Sequence, residues 1–108
     1  MLREERAVRV TYDAAKDRLT VTTAVEKSAI NTPKSLNLLL DARDHLVGID
    51  IDADSPARAI VMLGRHEDVA AQRPARGEVA FDSAGAPAIV TIHDARGAVR
   101  VDERNPYV

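Results

Sequence analysis

The sequence predicts an all-β domain, seven to eight short antiparallel strands in a small sandwich or a partly open barrel. Two observations carry that expectation. Residues 35–55, SLNLLLDARDHLVGIDIDADS, contain two apolar runs, 36–40 and 46–51, joined by a short polar connection, the pattern of a β-hairpin. Elsewhere, short period-2 segments are separated by turns rich in Asp, Gly and Pro rather than organised with helical periodicity.

In chain order, residues 7–12 read as a first strand, with Val8, Val10 and Tyr12 on one face. Asp13 opens a turn in which its carboxylate can accept from backbone N–H groups two residues on. Leu19, Val21 and Thr23 then alternate with Thr20 and Thr22 in a second strand whose Thr-rich face suits contact with solvent. Residues 26–34 read as a polar connection closed by Pro33, and the central hairpin follows. Ser55 before Pro56 is a helix-start signature. The continuation ARAIVMLG is instead a compact apolar run stopped by Gly64, so a strand over 58–63 is preferred and a short helix within 56–72 is the alternative. Residues 65–76 form the longest polar connection, with an optional helical turn over 67–72 ahead of Pro74. Three more strands are expected over 78–82, 88–94 and 99–102, the last two joined by a type I turn at Asp94-Ala95-Arg96-Gly97.

Leu39 falls on the face opposite Leu36, Leu38 and Leu40, and a regular hairpin register places Leu46 on that outer face beside it. With Met62 or Leu63 nearby, this pair is expected to seed an interface. The expected assembly is a homodimer, with Leu39 buried under a second sheet of its own chain or against a second copy.

The 108 residues suit one domain, 1–108. Two parts of it look alike: Val10-Thr-Tyr-Asp13-Ala-Ala followed by Leu19-Thr-Val-Thr, and Val79-Ala-Phe-Asp82-Ser-Ala followed by Ile89-Val-Thr-Ile. A decayed repeat over about 8–55 and 78–104, or convergence on the same turn chemistry, explains the likeness. The aromatics are only Tyr12, Phe81 and Tyr107, so the core must be aliphatic. Absence of cysteine excludes disulfides, thiol catalysis and thiolate metal sites. The net charge of −2 is spread evenly along the chain, and without a basic segment or stacking aromatics no nucleic-acid role is expected. No apolar run is long enough to cross a bilayer as a helix and the charged start lacks the core of a signal peptide, so a cytoplasmic location is expected.

The first half resembles a family of small, uncharacterised bacterial proteins that run Y-D-x-x-x-D-x-L-x-[IV], a gap, then a strand ending in Asp and a closing L-V-G-I-[DE]-[IL]. Tyr12-Asp13, Asp17, Leu19 and Val21 fit the opening, and Asp41 with Leu46-Val47-Gly48-Ile49-Asp50-Ile51 fits the close. The likeness covers about residues 8–55, and residues 26–34 depart from the acidic, Gly-containing gap of that family. It carries no catalytic residues, and the toxin-like genes that often neighbour its members imply an antitoxin role.

Asp50, Asp52 and Asp54 alternate at strand spacing, so three carboxylates on one face offer a weak alternative site for a hard cation. The likeness to a calcium loop fails where glycine and a bidentate Glu are required, at Ser55 and Val61, and the leading reading is a charged edge that discourages aggregation. His45, His66 and His93 are far apart and read as surface histidines. No nucleophile elbow and no glycine-rich phosphate loop is present. No cofactor and no catalysis are expected. The function expected is therefore a protein–protein interaction or structural module that self-associates. Two alternatives stand beside it: an antitoxin-like partner of a basic toxin, using Asp41, Asp44, Asp50, Asp52 and Asp54, or a module that binds a small ligand or metal.

Overall fold

A computed structural model describes residues 3–23, 30–51 and 58–100. Seven strands are described: β1 (Arg3–Asp13), β2 (Arg18–Thr23), β3 (Ile30–Leu40), β4 (Leu46–Ile51), β5 (Ala59–Met62), β6 (Ala71–Phe81) and β7 (Pro87–His93). They close into a barrel in the order β1-β2-β7-β6-β3-β4-β5. A 3-10 turn, His66–Asp68, precedes β6, and a one-turn helix α1 (Ala95–Ala98) follows β7. The all-β expectation holds, the barrel is closed, and residues 59–62 are strand rather than helix. One pairing departs from it: β1 runs parallel to β5, Arg3 beside Ala59 through Arg6 beside Met62.

Closure is achieved by the three 11-residue strands, each of which serves two sheets. The start of β1 lies beside β5 and its remainder beside β2. β3 pairs with β6 throughout, but only Leu36 to Leu40 lie beside β4, and only Gly77 to Phe81 of β6 lie beside β7. One sheet thus comprises the start of β1, β5, β4, the end of β3 and the start of β6. The other comprises the end of β1, β2, β7, the end of β6 and the start of β3.

Several segments outside the expected strands are strand. Residues 3–6, 30–34 and 71–76 look too polar or too proline-broken for strands in the sequence, yet they are the extensions that close the barrel. Proline is tolerated because Pro33 lies where β3 has no β4 alongside, and Pro74 where β6 has no β7 alongside. A missing N–H costs nothing on an unpaired side of a strand. The helical turn expected over 67–72 is reduced to the 3-10 turn at His66–Asp68. At the other end, the expected turn at 94–97 is the start of α1, and residues 99 and 100 are not strand.

The interior is aliphatic, as expected. Leu36, Leu38, Leu40, Leu46, Ile49, Ile51 and Val61 from the first sheet meet Val10, Leu19, Val21, Val79, Val90 and Ile92 from the second, and Ala95, Ala98 and Val99 join the same core. A β-bulge corrects the outer face of the hairpin. Leu39 pairs with Gly48 and Leu40 with Leu46, so Val47 is the extra residue. Leu46 therefore points into the main core, and Val47 takes the place beside Leu39 that a regular register assigns to Leu46. Leu39, Val47, Ile60 and Met62 form a separate apolar cluster outside the barrel, with Val69 packed against it. Leu39 is 7% exposed within the single chain.

Candidate functional site

The two sheets treat their outer faces differently. The first carries the Leu39 cluster, closed over by the chain itself through Val69. Among the described residues, no element is layered on the outer face of the second, over β2 and β7. Alternation fixes what that face presents: Val21, Val79, Val90 and Ile92 point inward, so their neighbours point out.

The register sorts those neighbours into three rows across the strands. In the middle row, Thr11 pairs with Thr20, Thr20 with Thr91, Thr91 with Glu78, and Glu78 with Pro33. One flanking row runs Arg9, Thr22, Ile89, Ala80 and Asn31. In the other, Asp13 pairs with Arg18 and Arg18 with His93, while Arg76 pairs with Ser35. Gly77 opposite Ile92 continues to Arg76 alongside His93, and these two line one shallow groove with Pro33, Lys34, Ser35 and Glu78. The centre of the face, Thr20, Thr22, Ile89 and Thr91, is uncharged and half-buried, with Glu78 next to Thr91 in the middle row and the other charged side chains in the flanking rows.

The acids on this face are already engaged. Asp13 Oδ1 accepts from the Ala15 N–H at 3.0 Å and the Lys16 N–H at 3.4 Å. Glu78 Oε1 lies 3.8 Å from His93 Nε2. Arg9, Arg18 and Arg76 have no ion pair among the described residues.

At one end of the barrel the β1–β2 turn is locked to α1. Asp17, in the left-handed region at φ 51°, accepts from the Tyr12 hydroxyl at 2.6 Å and the Arg96 N–H at 3.1 Å through Oδ1. Its own carbonyl accepts from Ala95 N–H at 3.1 Å. The Tyr12 hydrogen bond, helped by the Arg96 N–H and guanidinium, holds the Asp17 carboxyl below the usual range against the opposing effect of burial. The same bond raises the Tyr12 hydroxyl. A carboxyl whose folded pKa is lowered stabilises the fold above its unfolded value, about 3.9, and loses that contribution as pH falls through the folded value. Asp17→Asn is therefore expected to lower the melting temperature near neutral pH while leaving a shallower acid limb, read by thermal melts across the acid range.

The residues singled out in the sequence are dispersed. Asp41 accepts from the N–H groups of Arg43 at 2.8 Å and His45 at 2.9 Å, and its Oδ2 lies 3.4 Å from His45 Nδ1. Burial works to raise Asp41, and those N–H bonds together with the imidazole outweigh it, so its carboxyl is lowered. Asp44 meets Arg73 at 3.6 Å, and Arg73 also donates to the Ala98 carbonyl at 2.6 Å. Asp50 is buried on the outer face and held by Arg58 through two bonds, Nε to Oδ1 at 3.1 Å and Nη2 to Oδ2 at 2.6 Å. Asp52 and Asp54 lie outside the described residues, and with them the three-carboxylate alternative. Among the described residues, no three metal-ligating side chains form a group. His45 is half-buried in the hairpin turn rather than exposed, His66 pairs with Glu4, and His93 with Glu78, at three separate places.

Only the Thr20/Thr22 alternation hints at the open face in the sequence. Arg9, Arg18, Arg76, Ile89 and Thr91 come together only through the register of β1, β2, β7 and β6. No protein-family profile, curated protein or solved structure matches the chain, so its own geometry is what speaks for this site.

Proposed function

We propose that this chain is a non-catalytic protein–protein association module and that it works through the outer face of the second sheet. The observation that carries the reading is the uncharged, half-buried centre of that face, Thr20, Thr22, Ile89 and Thr91, with no described element layered on it. An antiparallel sheet can leave one face solvated, and such a face becomes an interface core when its centre is uncharged and its rim polar. The Leu39 and Leu46 pattern expected to seed a homodimer lies on the other sheet. Leu39 is covered by its own chain, and among the described residues the barrel pairs most strand edges, while the single-sided stretches of β3 and β6 carry Pro33 and Pro74.

The test is light scattering on the wild type, Thr91→Arg and Ile89→Arg, with circular dichroism to verify folding. Both positions are half-buried on the outer face, so folding is expected to survive. A wild-type dimer that both variants dissolve supports the reading in its homotypic form. A dimer indifferent to both places the interface elsewhere and overturns it. A monomeric wild type ends the homotypic form and directs the face to a different chain. An antitoxin-like role against a basic toxin gains no support from Asp41, Asp44 and Asp50, since Asp41 is engaged by backbone N–H groups, Asp44 by Arg73 and Asp50 by Arg58.

A further inference from the structure

Resting on the reading of the second sheet's outer face as an association surface, we propose that its partner is acidic. The occupant is an extended polypeptide segment whose carboxylates are taken up by Arg18 and Arg76 on either side of His93, with Arg9 at the opposite margin. Three observations lead there. The face carries Arg9, Arg18 and Arg76 against Asp13 and Glu78, although the chain as a whole is at −2. Asp13 accepts from two backbone N–H groups and Glu78 Oε1 lies 3.8 Å from His93 Nε2, whereas the three arginines have no ion pair among the described residues. The row is also ordered: Arg18, His93 and Arg76 sit on adjacent strands, and Ser35 follows on the next.

The spacing suits such a segment. Strands lie about 4.8 Å apart, so Arg18 and Arg76, two strands apart, are separated by roughly 10 Å at their backbones. An extended peptide rises about 3.3 Å per residue, so carboxylates two to four residues apart span about 7–13 Å, within reach of the flexible arginines. A planar guanidinium can take a carboxylate through two parallel N–H bonds, which gives orientation as well as attraction. The groove lined by Pro33, Ser35, Arg76, Glu78 and His93 gives the segment a floor beside this row. Glu78, held by His93, disfavours a ligand of dense negative charge and leaves the spaced carboxylates of a peptide as the better match.

The experiment is fluorescence anisotropy with a labelled short poly-L-glutamate peptide on the full chain, at low salt and at about 0.15 M, where screening acts over ~8 Å. The variants are Arg18→Glu/Arg76→Glu, the milder Arg18→Gln/Arg76→Gln, and a charge-matched control, Arg43→Glu/Arg65→Glu, away from the face. Wild type and control are expected to bind alike. The Glu double variant is expected to bind at least about tenfold more weakly, and the Gln double variant to fall between, as loss of rim charges changes association with a charged partner. The Gln pair keeps the test decisive should the charge reversal unfold the chain. No binding by the wild type overturns the proposal, as does equal weakening of the control, which would mark unspecific attraction. Inorganic polyphosphate that outcompetes the peptide also overturns it, in favour of a phosphate-type ligand. A wild-type dimer dissolved by Thr91→Arg, together with no peptide binding, retains the face as an interface and rejects only the acidic partner.

Discussion

Gly77→Ala is expected to be the most damaging single-methyl change in this chain. A Cβ at position 77 would lie 2.0 Å from the Thr91 carbonyl oxygen and 2.8 Å from Leu36 Cδ1. The first of these atoms is backbone in the neighbouring strand, so no rotamer change relieves it. Gly77 stands where β6 leaves its stretch beside β3 alone and begins to pair with β7, opposite Ile92. A glycine at such a passage lets two backbones approach closely. The cost is expected at or above the upper end of the ~1–3 kcal/mol typical of overpacking, read as a loss of denaturant midpoint in a urea titration. Gly48→Ala is the comparison: its closest obstacle, at 2.7 Å, is the Sδ of Met62, the end of a flexible side chain, although the Val61 carbonyl at 3.1 Å adds some strain. A Gly48→Ala chain as unstable as Gly77→Ala would mean that the carbonyl clash is not the deciding contact.

Leu40→Ala is expected to cost about 2–5 kcal/mol, the range for removing a buried leucine and leaving a cavity. Leu40 is 0% exposed, in the main core with Leu38, Leu46 and Ile49. It also stands at the bulge, paired with Leu46, so its truncation removes contacts from both arms of the hairpin. The site has little freedom to collapse around the void, because β3 at Leu40 is pinned by β4 on one side and β6 on the other. A loss under about 0.5 kcal/mol in the same titration would mean that this hairpin is not central to the fold.

The two look-alike segments, 10–22 and 79–92, form neighbouring hairpins. The β1–β2 and β6–β7 hairpins lie side by side, joined by the antiparallel pairing of β2 with β7. Their turns use the same device: Asp13 accepts from Ala15 N–H, and Asp82 from Ala84 N–H at 3.0 Å and Ala86 N–H at 2.8 Å. Asp-Ala-Arg, shared by residues 41–43 and 94–96, takes two different roles. Asp41 closes the β3–β4 turn, while Asp94, at φ 52°, turns the chain into α1. A short local motif favours a turn without choosing which one, because its side chain can satisfy several arrangements of nearby N–H groups.

By itself the sequence determined the β class, the aliphatic core and the positions of most strands, because period-2 alternation and turn residues act over a few neighbouring positions. Leu38, Leu40, Ile49 and Ile51 are buried as their alternation predicts, and Ile60 and Val61 form a strand as the glycine-stopped run predicts. Tertiary structure alone decided what depends on pairing between distant residues. The extensions of β1, β3 and β6 contain Arg3, Glu4, Pro33 and Pro74, residues that disfavour strand locally, and they are extended because closing the barrel supplies ladder partners. The bulge at Val47 decided that Leu46 faces inward and Val47 outward, since one extra residue reverses the phase of everything before it. The candidate face was undetermined for the same reason. Arg18 and Arg76 are 58 positions apart in the chain, and only the registers of β2 with β7 and of β7 with β6 set them on either side of His93.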